Sequence, residues 1–364
     1  MYGNVDWEMA SKRLTAFWQK EIIDRPCLQI VTSAGKTKIE NEQIESKKIE
    51  NEQMENTKID PAAVWTNPQT YFEVNRQPFA NTIYLGEALP VLYPNAEHIA
   101  LALGSELGYA DGTIWIKKTP GSIRDLDFSH VILEHPAIQE MASYFECICQ
   151  LAKDQCFVGF PHMGNPGDAL ARMRGYDNFC LDLLDEPERC FALEEEMLRI
   201  WQMCYDLIHG IITTYMPGSC GWLPAWHPTR SALIEFDFCA LISPELFKKY
   251  IPFLVKRARH ADHAIYHLDG PDALIHLDML LAIPEIEFIQ WEPGAGGGDI
   301  LDWLELMQKI QAAGKGLYVS GGFHPIWKAE ILLRELRWEG LMIPVYANSM
   351  DEAQRFLDRQ SIVI

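Results

Sequence analysis

The sequence predicts an α/β fold, specifically a TIM (β/α)8 barrel with N-terminal helical additions. Short apolar runs alternate with helical stretches from about residue 134 onward, and such alternation is typical of a parallel sheet. Three of these runs end in polar clusters at similar intervals, since His267 to Glu292 is 25 residues and Glu292 to His324 is 32. These intervals are close to the roughly 31 residues expected when about 250 residues are divided among eight strand–helix units.

Length and composition predict one soluble, cytoplasmic domain that spans residues 1–364. A chain of 364 residues, 48% of them hydrophobic, is long enough to bury a large core. It has no apolar stretch of membrane-spanning length and no basic N-terminal segment followed by an apolar one, so we expect no membrane association. The formal net charge of −20 would repel phosphate backbones, which argues against a nucleic-acid partner. The nine cysteines are scattered without a CxxC pair, as expected for reduced thiols.

The N-terminal third begins with apolar residues at helical spacing over 7–22, and Pro26 ends this helix before an apolar strand at 27–31. The segment 36–60 contains a tandem duplication of the residue types Lys-Ile-Glu-Asn-Glu-Gln. Its charge density predicts a low-complexity surface insertion, either an exposed helix or a disordered excursion. The stretch 61–121 is rich in Pro, Asn and aromatic residues, and we expect it to cover the barrel mouth, with a short strand at 112–116.

The later elements follow the regular alternation of a closing barrel. A strand at 156–160 precedes helices through 170–215, and a strand at 238–242 leads into a helix at 244–260 that Ser243 caps. Further strands are predicted near 263–267, 287–291, 316–320 and 341–345, with helices beginning near 271, 300, 325 and 350.

Four residues at the predicted strand ends are catalytic candidates. His267 and Asp269 are two apart on a strand, so their side chains share a face and can bind one metal ion or one substrate group. Glu292 ends the next strand and His324 follows Gly321-Gly322, where a histidine is well placed to transfer protons. Because polar residues at the carboxyl ends of barrel strands face the active site, we expect all four to converge.

Simpler interpretations of the same residues remain open. His267 could be a structural histidine oriented by Asp269, Glu292 could cap the following loop, and His324 could lie in a solvated loop. Most of the predicted substrate contacts follow strands or supply aromatic walls, although aromatic side chains more often simply pack. Asp237 is predicted at the start of the strand at 238–242, where it could orient a ligand or equally pack against a helix. The predicted contacts are His162, Asn165, Trp222, His227, Asp237, Trp291 and Tyr346.

Several short motifs occur in an order and spacing that resemble one family. They are Gly175 with Asp-Glu-Pro-Glu at 185–188, Asp237 with Ser-Pro-Glu at 243–245, His-Leu-Asp-Gly at 267–270, Trp-Glu-Pro-Gly at 291–294 and Gly-Lys at 314–315. From about residue 24 to the C-terminus the chain resembles the uroporphyrinogen decarboxylase superfamily. This group of (β/α) barrels also contains zinc-dependent, corrinoid-linked methyltransferases.

The resemblance implies a metal site with an altered set of ligands. Methyltransferases of this superfamily typically place His-x-Cys on one strand, a Glu on the next and a further Cys on the last, so that zinc activates a thiol. His267 and Glu292 match this pattern, whereas Asp269 replaces the first cysteine and the segment 343–348 has no thiol. The resemblance thus makes His267, Asp269 and Glu292 the predicted metal ligands. A His/Asp/Glu set can bind zinc and would equally suit manganese or iron. The segment 24–30 lacks the arginine-rich stretch of authentic haem-pathway decarboxylases.

We therefore expect a methyltransferase that moves a methyl group between a small substrate and a corrinoid or thiol carrier, with a divalent metal as cofactor. One alternative is a cofactor-free decarboxylase or lyase that acts on a carboxylic acid, porphyrinogen-type acids included, with His324 delivering the proton. Another is a ligand-binding barrel without catalysis. The expected partners are a small-molecule substrate, a corrinoid protein and a second copy of the chain in a homodimer.

Overall fold

The structure is a computed structural model that describes residues 5–34, 60–110, 113–163 and 167–361. Two sequence predictions fall on other residues. The insertion at 36–60, apart from Asp60, and the predicted substrate contact Asn165 lie outside the described residues.

The main sheet contains eight strands in the order β2-β1-β12-β10-β9-β8-β7, with β11 paired to β12. Every pair is parallel except β1 with β2, which is antiparallel. The carboxyl ends of the parallel strands therefore share one edge, called here the carboxyl edge. The strands of this sheet are β1 (Cys27–Ser33), β2 (Thr82–Gly86), β7 (Ser231–Ile234), β8 (His263–Asp269), β9 (Phe288–Glu292), β10 (Gly316–Val319), β11 (His324–Pro325) and β12 (Leu341–Tyr346).

Two smaller sheets complete the strand inventory of the described residues. They are formed by β3 (Val91–Leu92) with β6 (Phe157–Val158), and by β4 (Leu107–Ala110) with β5 (Thr113–Ile116). The two residues that follow β6 make further backbone hydrogen bonds. Gly159 N–H donates to Leu92 O in β3, and Phe160 N–H donates to Cys220 O. Strand pairing within the described residues does not close the main sheet into a ring. The structure thus confirms a mixed α/β fold with a largely parallel sheet, and leaves the closed eightfold barrel a prediction.

Helices follow most of the parallel strands and bury them, and within the described residues no helix is long and apolar enough to cross a membrane. Strands buried on both faces read as continuous apolar runs, as β10 does. The α-helices are Trp7–Gln19, Pro61–Thr66, Pro68–Asn75, Gln77–Ala80, His98–Ala102, Pro136–Ala152, Asp168–Arg174, Tyr176–Asp185, Pro187–Tyr215, Pro244–Ala258, Leu277–Leu281, Leu304–Ala312, Ile326–Glu335 and Met350–Gln360.

One predicted strand is wrong. The apolar run at 238–242 forms the 3-10 helix Asp237–Leu241, and the strand of this region is Ser231–Ile234. Phe238 is buried although its backbone is not that of a strand, since the centroid of its ring lies 5.0 Å from that of Phe179. The cap of the next helix is confirmed, because Leu246 N–H donates to Ser243 Oγ at 3.3 Å.

A buried charged cluster fixes the entry of β1. The Glu87 side chain is completely buried, and Arg25 donates to both of its oxygens at 2.6 and 2.8 Å. Leu28 N–H in β1 donates to the same carboxylate at 2.8 Å, and Arg13 of the first helix approaches it at 3.3 Å. The carboxylate therefore joins the N-terminal helix, the first strand and the segment after β2.

Candidate active site

Three side chains that could together hold a metal ion meet at the carboxyl edge. Asp237, His267 and Asp269 each offer one donor atom, and the three atoms all lie within 4.8 Å of one another. His267 and Asp269 lie at the C-terminal end of β8, and Asp237 begins the 3-10 helix that follows β7. One imidazole and two carboxylates form a donor set that suits zinc, manganese or iron. The predicted pairing of His267 with Asp269 is thus matched by their proximity.

A chain of hydrogen bonds orients His267. Its Nδ1 lies 2.6 Å from Oε1 of Gln290, the residue that stands opposite it on β9. Gln290 Nε2 donates to Ser320 Oγ at 2.7 Å, and Ser320 Oγ donates to Glu292 Oε2 at 2.6 Å. Because an amide oxygen only accepts, His267 donates through Nδ1, and a neutral ring then keeps its lone pair on Nε2, where a ligand can bind.

Glu292 lies beside the cluster but differs from its predicted role as the third ligand. It stands opposite Asp269 in the ladder between β8 and β9. Its Oε2 accepts hydrogen bonds from Ser320 Oγ and from Gly321 N–H at 2.9 Å, and its Oε1 accepts a longer one from Gly294 N–H at 3.3 Å. Both oxygens of Glu292 thus accept hydrogen bonds from the loops after β9 and β10, and among the described residues the group of donor atoms within 4.8 Å of one another contains Asp237 rather than Glu292.

Crowded carboxylates give the cluster an unfavourable charge of its own. Desolvation raises the pKa of Asp237, and the nearby charges of Glu235 and Asp269 raise it further, while His267 opposes the shift. Desolvation likewise raises the pKa of Asp269, with His267 opposing and Glu292 and Glu235 adding to the shift. A bound cation would relieve this repulsion and favour the ionised carboxylates.

Glu235 is a site residue that the sequence analysis missed. It is only 5% exposed, and its two oxygens are each held, Oε1 by Trp222 Nε1 at 2.8 Å and Oε2 by His162 Nε2 at 2.6 Å. The Trp222 ring in turn packs edge-on against His267, with centroids 5.1 Å apart. Of the predicted substrate contacts, His162, Trp222 and Asp237 therefore lie around His267. An acidic residue that directly follows the apolar strand Ser231–Ile234 is the sequence signal that could have identified Glu235.

A small cavity lies beside Glu235, with a volume of about 20 Å³. Its lining includes His162, Trp222, Ser231 and Tyr205. A water molecule needs about 10–15 Å³ on this measure and two to four polar partners, so the cavity has room for a single water next to the His162–Glu235 pair.

The His162–Glu235 pair should couple most strongly in mildly acidic solution. Burial lowers the pKa of His162, but the Glu235 charge and hydrogen bond outweigh it and the pKa is raised; burial raises the pKa of Glu235, but His162 outweighs it and the pKa is lowered. Stabilisation from His162 is complete below its unfolded pKa of about 6.5 and is lost as pH rises through the raised value. Stabilisation from Glu235 is complete above its unfolded pKa of about 4.5 and is lost as pH falls through the lowered pKa of the folded state.

We therefore expect a double-mutant cycle of His162→Gln and Glu235→Gln to give its largest coupling free energy near pH 5.5 and a smaller one near pH 9. Urea unfolding at the two pH values measures it. Equal coupling at both would contradict a charged pair.

Two predicted residues lie near the carboxyl edge without joining the donor group. His324 is only 3% exposed, with Nε2 2.9 Å from Ser320 O. Desolvation and the charge of Lys328 lower its pKa to about 4, so it is neutral near pH 7, which argues against the proton-donating role predicted for it. Tyr346 is the last residue of β12, half-buried at the same edge.

Two further predicted contacts lie away from the cluster. Trp291 is fully buried on the opposite face of β9 from Gln290 and Glu292, and its ring packs 4.9 Å from that of Trp303. His227 packs against Trp18 and against His263, the first residue of β8, and so lies toward the amino ends of the strands. Their positions thus do not support roles as substrate contacts, because strand alternation turns Trp291 to the other face and the contacts of His227 place it toward the amino ends of the strands.

Comparison with known proteins gives a likeness of fold. No family model matches the sequence, and no curated protein sequence matches it. The chain is similar to the solved structure of a methyltransferase from Methanosarcina mazei, with a TM-score of 0.58 and 14% identity over 97% of this chain and 98% of that one. A mandelate racemase/muconate lactonizing enzyme from Jannaschia sp. CCS1 matches with a TM-score of 0.35 and 15% identity over 81% of this chain and 53% of that one. The first likeness shows a shared fold, and the second is too weak to support an argument.

Proposed function

We propose that this chain is a metal-dependent methyltransferase built on a uroporphyrinogen decarboxylase-like (β/α)8 barrel. It would move a methyl group between a small substrate and a corrinoid or thiol carrier. The observation that supports this proposal most directly is the meeting of Asp237, His267 and Asp269 at the carboxyl edge, where barrel enzymes place their catalytic residues. The fold likeness to the Methanosarcina mazei methyltransferase is consistent with the activity.

The residues present fit a divalent cation. His267 offers a lone pair fixed in direction by Gln290, and Asp237 and Asp269 supply two negative charges that a divalent ion would balance. A bound ion would supply Lewis-acid activation of a substrate heteroatom. The donor set has no thiolate, so we expect the site to favour harder ions, manganese or iron as well as zinc.

The charge of the site also bears on the decarboxylase alternative. Glu235 and Glu292 add two further carboxylates around the donor group. Of these two, Glu235 is paired with His162. Such a site repels an acidic substrate unless a cation is bound. We therefore favour methyl transfer over cofactor-free decarboxylation of a polycarboxylate.

Metal titration tests the proposed centre. We expect protein stripped with a chelator to bind one Co²⁺ per chain, measured by calorimetry and by visible absorbance. Asp237→Ala and Asp269→Ala should weaken Co²⁺ binding by more than the roughly 10–100-fold typical of lost outer-shell contacts, whereas Glu292→Ala should fall within that range. A wild type that binds no metal would contradict the proposal, and a larger effect at Glu292 than at Asp237 would restore the ligand set predicted from the sequence.

Absorbance of methylcobalamin tests the activity. The stripped protein should demethylate it in the presence of thiol acceptors only after metal is restored, whereas demethylation that is insensitive to chelation would contradict a metal-dependent transfer.

A further inference from the structure

Asp237 is held between two anchored aromatic residues. Phe236 and Phe238 are both completely buried. The ring of Phe236 lies 4.6 Å from that of Tyr250, and the ring of Phe238 lies 5.0 Å from that of Phe179. The backbone of this short segment is therefore fixed in the core, while the Asp237 side chain is exposed at the carboxyl edge.

A second carboxylate holds the backbone of the same segment. Asp168, the first residue of helix Asp168–Arg174, is only 2% exposed. Its Oδ1 accepts a hydrogen bond from Phe238 N–H at 2.7 Å, and its Oδ2 accepts one from Asp237 N–H at 3.2 Å. Two consecutive amides bound by one carboxylate leave the peptide little freedom to rotate.

The close approach of this helix to the segment requires a glycine. Gly167 has φ of +71°, and a Cβ on it would lie 2.6 Å from Cε2 of Phe236 and 3.1 Å from Cδ1 of Phe238. Its N–H donates to Oε1 of the buried Glu194 at 2.8 Å. The sequence Gly167-Asp168 thus brings the carboxylate against the Asp237 amide, at a position where a side chain on residue 167 would force the two apart.

We infer that Asp168 is a positioning residue that fixes Asp237 as the third donor of the candidate metal centre. The inference rests on the proposed function. Asp168 acts through the backbone of Asp237, in the same way that outer-shell carboxylates orient first-shell ligands elsewhere. Its two oxygens face the amides of 237 and 238, so the effect passes to the ion through the direction of the Asp237 side chain.

Co²⁺ binding by the full chain and its variants tests this role. We expect Asp168→Ala to weaken Co²⁺ binding by roughly 10–100-fold and to change the visible spectrum of the bound ion. Asp168→Asn keeps one acceptor oxygen and should bind Co²⁺ with intermediate affinity. Gly167→Ala leaves every donor in place and should weaken binding in the same direction as Asp168→Ala.

Asp182→Asn is the matched control for a general loss of stability. Asp182 lies on the next helix, Tyr176–Asp185, and accepts a hydrogen bond at 2.7 Å from Arg174, which ends the helix that Asp168 begins. We expect it to lower the melting temperature and to leave Co²⁺ affinity and spectrum unchanged. If Asp168→Ala does not fold, Asp168→Asn and Gly167→Ala decide the question.

Three outcomes would overturn the inference. Asp168 variants that match the wild type in affinity and spectrum would refute the positioning role alone, as would an equal loss of affinity in Asp182→Asn. A wild type that binds no Co²⁺ would instead refute the proposed metal centre, and the positioning role with it.

Discussion

Glu87→Ala should lower the free energy of unfolding by about 3–5 kcal/mol, because it leaves a buried guanidinium without its partner. The Arg25 side chain is 3% exposed and the Glu87 side chain is fully buried, so solvent cannot replace the lost charge. The variant also removes the acceptor of Leu28 N–H in β1 and the second partner of Arg13. Loss of a single carboxylate therefore disturbs the N-terminal helix and the first strand together.

Urea unfolding measures this effect, and Glu106→Ala is the matched control. Glu106 pairs with Lys117 at 3.1 Å, but its side chain is 80% exposed. Exposed pairs contribute roughly 0–1 kcal/mol, so the control should unfold within that range of the wild type. A loss below about 1 kcal/mol for Glu87→Ala would mean that the buried network relaxes around the vacancy.

The strands of the C-terminal half could be predicted because each is a largely apolar run ended by a polar cluster. The predicted runs near 263, 287, 316 and 341 correspond to β8, β9, β10 and β12. A strand that is buried on both faces is apolar at successive positions, so it can be recognised without knowing which of its residues face which side of the sheet. The same rule failed at 238–242, because a buried 3-10 helix and a buried strand have the same apolar composition.

The site was predictable to the extent that position along a strand decides it. His267 and Asp269 lie on the same face of β8, as their spacing of two residues requires. Both lie close to Asp237. Trp291 could have been assigned by the same rule, since it alternates with Gln290 and Glu292 and must point the other way. Gln290 is a polar residue within an apolar run, and this signal could have identified it as the partner of His267.

The burial of a side chain and its contacts with distant backbone amides could not be predicted from the spacing of residues in the sequence. His324 follows two glycines, but whether its ring turns toward solvent or into the core depends on the fold of 320–325. Asp168 acts on the amides of residues 237 and 238, about 70 positions away in sequence, and no local pattern encodes such a contact. Asp237 was predicted as a ligand contact on a strand, and it reaches the cluster from a 3-10 helix instead.

His267→Ala should have the largest effect on function. His267 is the only imidazole of the donor group, and its removal leaves Asp237 and Asp269 to hold an ion with two mutually repelling carboxylates. Since the loss of an outer-shell contact alone typically costs roughly 10–100-fold in metal affinity, we expect the loss of this donor to exceed 100-fold. Demethylation of methylcobalamin should fall with it.

His227→Ala separates this effect from the general cost of deleting a histidine. His227 is 6% exposed, and burial together with the charge of His263 lowers its pKa to about 4, so the variant also removes a buried neutral ring. Its contacts with Trp18 and His263 place it toward the amino ends of the strands, where barrel residues serve stability. We expect a lower melting temperature with Co²⁺ affinity unchanged. Comparable losses of Co²⁺ affinity in both variants would mean that the metal does not bind at the carboxyl edge.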